Sequence, residues 1–387
     1  MNGFKNALVY VENKGIIKTS CSYSNGIICS LEKDQTVTNT FKLPDSAVIL
    51  PGFIDQHIHG AGGCDVMDAT EESFKRISTS IASEGVTSYL ATTMTQSKEN
   101  ISKVMKCVNR YIKSKVTVGA EMIGVHLEGP YINPQKAGAQ PLNYVVAPNY
   151  SEFKQYNELS GNNVKIVTLA PEIENAGKFV RQLINDEVIV SVGHSNATFN
   201  QFQTAVSNGI TQITHTFNAQ SPFTHREIGI AGGAMLLNEV ACEVICDLVH
   251  VNKDALRLLF KNKPKDKIIF ISDSMRAKNL GDVESELGGQ KVYVKNGEAR
   301  LANGTLAGSV LRLNDAIKNA VNVCKMPFIQ AIDCVSANPA KNLRLFNEIG
   351  GIKVGKKANF AVMDRNSYDI LLTVRNGKII YKNANLI

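Results

Sequence analysis

The sequence predicts an α/β chain, a (β/α)8 TIM-like barrel carrying a small β-sandwich module built from both chain ends. Three observations predict it. Eight short apolar runs alternate with polar, helix-compatible stretches between about residues 53 and 350. Both ends of the chain instead carry short β-like pieces broken by Asn-Gly turns. Six of the seven histidines fall at or beside the C-terminal ends of the apolar runs.

Among the first fifty residues, ALVYV and NGIICSL read as strands separated by turn signals that include Asn25-Gly26. The eight runs follow in order: GFIDQHIH, GVTSYLATT, AEMIGVHLE, VKIVTLAPE, VIVSVGHS, ITQITHTFN, EVICDLVH and KIIFISDS. Stretches such as ATEESFKRISTSIASEG and NATFNQFQTAVSNG come between them and suit helices. Near-continuous apolar strands alternating with helices indicate parallel strands covered on both faces. Eight of them favour a closed barrel, although periodicity alone also admits an open doubly wound sheet. At the far end, ILLTV and KIIYK flank Asn376-Gly377, a strong hairpin signal. The expected division is a module of residues 1–52 with 353–387, and a barrel over 53–352.

The composition, 44% hydrophobic and 20% charged over 387 residues without a low-complexity tract, is that of a globular chain. The start lacks a basic region followed by a long apolar stretch, and no run of about 18 apolar residues occurs later, so a cytoplasmic protein without a membrane span is expected. Eight scattered cysteines, most inside apolar runs and none in a CxxC pair, fit buried free thiols in a reducing compartment. The net charge of +7 is spread along the chain, which argues against nucleic acid as a partner and suits a small anionic substrate.

The histidines carry the chemistry. In HLEGP, His126 and Glu128 lie one residue apart, so an extended strand aims both side chains the same way. His57 and His59 form an HxH pair on one face of the first run, able to chelate one ion. On its own HxH is a weak signal. Joined by Glu128, His194, His215 and Asp273 from four other runs, it supplies imidazole and carboxylate ligands of the type that hold zinc, iron, manganese or cobalt. Such a cluster supports hydrolysis by water activated on a divalent ion, with a nearby carboxylate moving the proton to the leaving group. Asp273 is the candidate carrier, and a helix N-cap is the bland alternative for it.

The segments DQHIHG, HLEGP, GHS, THTFNA, HRE, SDSM, LAGS and NPA, in this order, resemble the N-acetylglucosamine-6-phosphate deacetylases of the metal-dependent amidohydrolase superfamily. The likeness runs from about residue 50 to 340, and GGIKVGKKANFAVMD resembles the superfamily's return into its β-sandwich. It implies hydrolysis of N-acetylglucosamine 6-phosphate to glucosamine 6-phosphate and acetate, with the galactosamine analogue as a near variant. It implies a divalent metal held by Glu128, His194 and His215, with a second ion at His57 and His59 where both are kept. Asp273 would take a proton from the attacking water and deliver it to the sugar amine. Asn218, the Ala219 backbone, Arg226 and His250 correspond to substrate contacts, with Ala139, Leu306, Ala307 and Gly308 lining the pocket. Arg226 would reach across a homodimer interface to the phosphate. His126 is expected to stand behind the ligands. Three positions depart from the family's usual residues: Gln140 stands for His, Gln220 for Met and Ser274 for Ala. The competing class, a non-catalytic barrel serving as a scaffold, would show missing metal residues, and all six are present.

Overall fold

The computed structural model describes residues 2–32, 37, 39–40 and 43–384. The eight apolar runs form the eight strands of one parallel sheet: β1 (Phe53–Ile58), β2 (Val86–Thr93), β3 (Glu121–Glu128), β4 (Val164–Leu169), β5 (Ile189–Val192), β6 (Gln212–Ile213), β7 (Ala241–Ile245) and β8 (Ile268–Ile271). Each strand pairs with its neighbours in sequence. The sheet then closes on itself beyond β8, where Asp273 N–H donates to His57 O and His59 N–H to Ser274 O, both at 2.9 Å. Ile58 and Ser274 complete the seam as a parallel bridge. Closure removes the open doubly wound alternative.

Helices α1 (Glu71–Ala82), α2 (Lys98–Lys113), α3 (Tyr150–Leu159), α4 (Ala176–Asn185), α5 (Phe199–Ser207), α6 (Gly229–Leu236), α7 (Lys253–Asn262) and α8 (Leu313–Asn322) return the chain outside the barrel. Their apolar residues recur at three and four positions, as Ile101, Val104, Met105, Val108 and Tyr111 do on α2, and that face is buried. Thr70, Ser97 and Thr198 start three of them by accepting from a first-turn amide. Two further helices, α9 (Phe328–Val335) and α10 (Ala337–Asn342), follow.

Both chain ends join one eight-stranded sheet, in which Phe360–Asp364 from the C-terminal part pairs antiparallel with Ala47–Pro51 from the N-terminal part. Alternation gives this sheet two buried faces. Ile49, Phe360 and Val362 pack into the module's own core with Phe4 and Tyr23, whereas Val48, Leu50, Ala361 and Met363 join the barrel's core. The module therefore shares its core with the barrel along a broad seam.

An unanticipated element sits between β8 and α8. Val283–Leu287, Gln290–Lys295 and Glu298–Leu301 form a three-stranded antiparallel meander. Leu287, Val292, Val294 and Ala299 pack beneath it with Met94, Met275 and Ala307, which places the meander over the C-terminal mouth of the barrel.

Candidate metal and substrate site

Glu128, the last residue of β3, is the hub of the barrel mouth. Its Oε1 lies 3.2 Å from His194 Nε2, 3.0 Å from His215 Nε2 and 3.5 Å from His57 Nε2. Its Oε2 lies 3.2 Å from His59 Nε2 and accepts from Gln140 Nε2 at 2.7 Å. Asp273 Oδ1 stands 3.4 Å from His57 Nε2 and 3.2 Å from His59 Nε2. All six side chains are buried, Asp273 least so at 8%. The sequence-predicted metal residues and the proton carrier thus meet at one point.

Local backbone makes this convergence happen. His194, His215 and Asp273 each follow their strand by two residues and adopt positive φ angles of 48°, 31° and 49°. Non-glycine residues rarely take that conformation, and where it persists it marks a position that the surroundings enforce. Gly129, which follows Glu128 in HLEGP at φ +68°, could not carry a Cβ, because that atom would overlap Thr95 Oγ1.

Backbone carbonyls set the ring orientations. His59 Nδ1 faces Thr92 O at 3.2 Å and His194 Nδ1 faces Lys136 O at 2.9 Å. A carbonyl only accepts, so each Nδ1 carries a hydrogen and each Nε2 is the nitrogen turned to the carboxylates, the one that could bind an ion.

The electrostatics call for a cation. Burial pushes the Glu128 carboxyl up, but His57, His194 and His215 outweigh it and hold the group well below the usual carboxylate range. Burial likewise raises Asp273, and His57 and His59 overcome it to leave the acid at about 2. His59 is pulled down by burial yet held at about 9 by Asp273 and Glu128. Carboxylates that favour protonated imidazoles this strongly favour a divalent ion for the same reason. Glu128, His194 and His215 form one group that could hold a metal, and His57, His59 and Glu128 form a second. His57 Nε2 is buried without a hydrogen-bond partner, which an ion there would satisfy. The donor set, imidazole nitrogens with anionic oxygens, fits a first-row divalent metal.

His126 lies behind this cluster. Its Nδ1 faces Gln56 O at 3.2 Å and its Nε2 Thr168 Oγ1 at 2.7 Å, while its ring packs edge-on to His57 with centroids 4.5 Å apart. Both nitrogens are engaged, and burial and His57 lower its pKa to about 4.

The cluster floors a cavity of about 470 Å³ whose walls include Ala139, Asn218, Ala219, His250, Leu306 and Gly308. Ala307 points away, fully buried in the apolar cluster under the meander. Arg226 is exposed on the loop after β6, next to the exposed Phe223 and His225, and does not line the cavity of its own chain. Lys136 and Arg300 are the cations that do line it, and sequence reasoning passed over both. His250 is fixed by Asp247, whose Oδ2 lies 2.6 Å from Nδ1. Burial lowers the His250 pKa, but this hydrogen bond and charge reverse it and raise the group above its ordinary value.

Each departing residue has a partner. Gln140 bridges Glu128 and the Thr95 amide, whose N–H donates to Gln140 Oε1 at 2.7 Å. Gln220 Nε2 donates to Thr214 O at 2.7 Å and its Oε1 accepts from Phe217 N at 3.2 Å, bracing the turn that carries His215. Ser274 Oγ donates to Gly60 O at 3.0 Å across the closing seam.

A closed parallel barrel whose strand ends converge imidazoles and carboxylates on one cavity defines the class of barrel hydrolases with a metal-ligating mouth. The chain belongs to the amidohydrolase family, whose model matches residues 48–380. It is 40% identical over 340 residues to the N-acetylglucosamine-6-phosphate deacetylase of Lysinibacillus sphaericus, spanning 87% of this chain and 86% of that one. The Bacillus subtilis (strain 168) protein of the same name is 35% identical over 97% of this chain and 96% of its own. The crystal structure of the Thermotoga maritima N-acetylglucosamine-6-phosphate deacetylase superimposes with a TM-score of 0.88 at 32% identity, covering 98% of this chain and 99% of that one.

Proposed function

We propose that the chain hydrolyses N-acetylglucosamine 6-phosphate to glucosamine 6-phosphate and acetate, in amino-sugar catabolism and cell-wall sugar recycling. The observation that carries this reading is the meeting of Glu128 with His194 and His215 on one oxygen and His59 on the other, beside Asp273, in a chain similar to deacetylases throughout. We assign catalysis to the barrel, 53–352, and a covering role to 1–52 with 353–387.

In this reading Glu128, His194 and His215 hold one divalent ion, and His57 and His59 a second. Zinc, iron, manganese and cobalt all suit these ligands. Bound there, the metal lowers the pKa of water and polarises the acetamide carbonyl. Asp273, ionised at neutral pH, takes a proton from the attacking water. Oxygen then bonds to the acetyl carbon, the carbon–nitrogen bond breaks, and Asp273 hands its proton to the departing amine. Asn218, the Ala219 N–H and His250 orient the sugar phosphate, and the raised pKa of His250 lets it meet the phosphate as a cation. Arg226 supplies the fork donor to the phosphate of a partner subunit. The exposed Phe223 beside it, at 57%, supports a homodimer contact on this loop.

No helix among the described residues is long and apolar enough to cross a membrane. The cysteines are free, which supports a reducing, cytoplasmic setting. A panel of N-acetyl hexosamines with and without 6-phosphate tests the substrate. Acetate release is expected from the glucosamine 6-phosphate derivative, faster than from the galactosamine analogue. Comparable rates on unphosphorylated sugars would remove the phosphate from the reading, and no acetate from any metal-loaded sample would remove the reaction.

A further inference from the structure

Glu243 lies in the middle of β7, inside the barrel, and takes no part in the proposed binding or proton transfer. It has no solvent exposure, yet three neighbours, Gln56, Gln212 and His57, meet its carboxylate. Oε1 accepts from Gln56 Nε2 at 2.8 Å and from Gln212 Nε2 at 2.9 Å, while Oε2 lies 3.0 Å from His57 Nδ1. Asn342, at the end of α10, fixes the two amides by donating from Nδ2 to Gln56 Oε1 at 3.1 Å and to Gln212 Oε1 at 2.6 Å. Both glutamines must therefore turn their NH2 groups toward Glu243. A carboxylate so supplied only accepts, so the hydrogen between it and His57 belongs to His57 Nδ1. Nε2 is then the nitrogen left for an ion: it is buried without a hydrogen-bond partner, 3.5 Å from Glu128 Oε1 and 3.4 Å from Asp273 Oδ1.

His57 differs here from His59 and His194, whose Nδ1 atoms face backbone carbonyls. A carbonyl orients a ring, whereas Glu243 also adds a full negative charge inside the barrel. Glu128 and Asp273 are the carboxylates that face both His57 and His59 from the mouth, and Glu243 is the one that meets His57 Nδ1 from behind. The nearby grouping of His57, His126 and Glu243 has the spacing of a metal site, but both His126 nitrogens already have partners, so Glu243 faces His57 in a supporting role.

We infer that Glu243 is the positioning residue for the ion at His57 and His59: it commits His57 to carry its proton on Nδ1 and supplies the buried charge that lets a second divalent cation bind. The inference rests on the metal reading above. Protein stripped of metal is titrated with Co2+ against a competing chelator, and followed by metal analysis and by the visible Co2+ spectrum. Wild type is expected to bind two ions. Glu243→Gln keeps the shape but loses the charge, so the first ion should bind as in wild type and the second roughly 10–100-fold more weakly, with partial rescue in Glu243→Asp. Unchanged affinity for the second ion in Glu243→Gln overturns the inference, and so does a wild type that binds one ion. A wild type that binds none overturns the metal reading itself. Should Glu243→Gln not fold, Asn342→Ala reaches Glu243 only through the two amides. It must then weaken the second ion alone, and two wild-type affinities in that variant would overturn the inference equally.

Discussion

Asp273 is ionised because two imidazoles face it across 3.4 and 3.2 Å, against the pull of burial. Asp273→Asn preserves shape and leaves Glu128, His194 and His215 in place, so the ion those three residues hold should stay bound as in wild type. Turnover should fall by about 10²–10⁴, because the group that moves the proton is gone. Metal analysis together with kcat checks this, and retained turnover would take Asp273 out of the mechanism. Glu128→Gln should do the opposite at the first step, losing bound metal, since a neutral amide replaces an anionic ligand that faces four imidazoles. His250 gives a pH signature. Its raised pKa keeps the imidazolium present to higher pH than in a free histidine, so KM for the phosphorylated substrate should rise as pH climbs through that value. Asp247→Asn removes the hydrogen-bonding charge that causes the shift, and the rise in KM should then begin at lower pH. An unmoved KM profile would detach His250 from phosphate binding.

Among the elements, β3 shows how tightly strand and site are joined. Gly129 turns the chain at φ +68° directly after Glu128, and a Cβ there would overlap Thr95, the residue whose amide holds Gln140 against Glu128. Gly129→Ala should cost about 2 kcal/mol or more in stability and also weaken metal binding, measured by thermal unfolding with and without added metal. A variant of wild-type stability would show that the turn can relax without moving Glu128. The barrel strands were legible in the sequence because parallel strands are buried on both faces, and their apolar runs had no other explanation. Six of the seven histidines were legible because each stands at or beside the end of such a run. The meander was not read, since VESEL, QKVYVK and EARL carry charged outward faces and lack an apolar run. Asn296-Gly297 between alternating residues was the signal that marks its second turn. Lys136 and Arg300 escaped because loop cations are ordinarily solvated, and nothing local shows which loops fold over the mouth. Glu243 escaped inside ACEVICDLV, which reads as one apolar run. A lone carboxylate in a strand buried on both faces was itself the signal, because such a charge needs a partner.

For the molecule as a whole, the cavity and the loop that carries Arg226 lie apart within one chain. Arg226 is exposed outside the cavity of its own chain, whereas Lys136 and Arg300 line it. If Arg226 serves the partner's phosphate, each site of a homodimer combines Asp273 from one chain with Arg226 from the other. Arg226→Ala alone should then raise KM for phosphorylated substrate with little change in kcat, and Asp273→Asn alone should be nearly inactive. Mixing the two variants and allowing subunits to exchange makes hybrid dimers in which one site has both residues intact and the other has neither. Random exchange places half of the chains in hybrids, so at low substrate the mixture should recover roughly a quarter of the wild-type activity, well above either parent. Activity that stays at the average of the two parents, in a mixture shown by mass spectrometry to contain hybrids, would mean that Arg226 works within its own chain or not at all. Arg300 and Lys136 would then be the cations left to receive the phosphate.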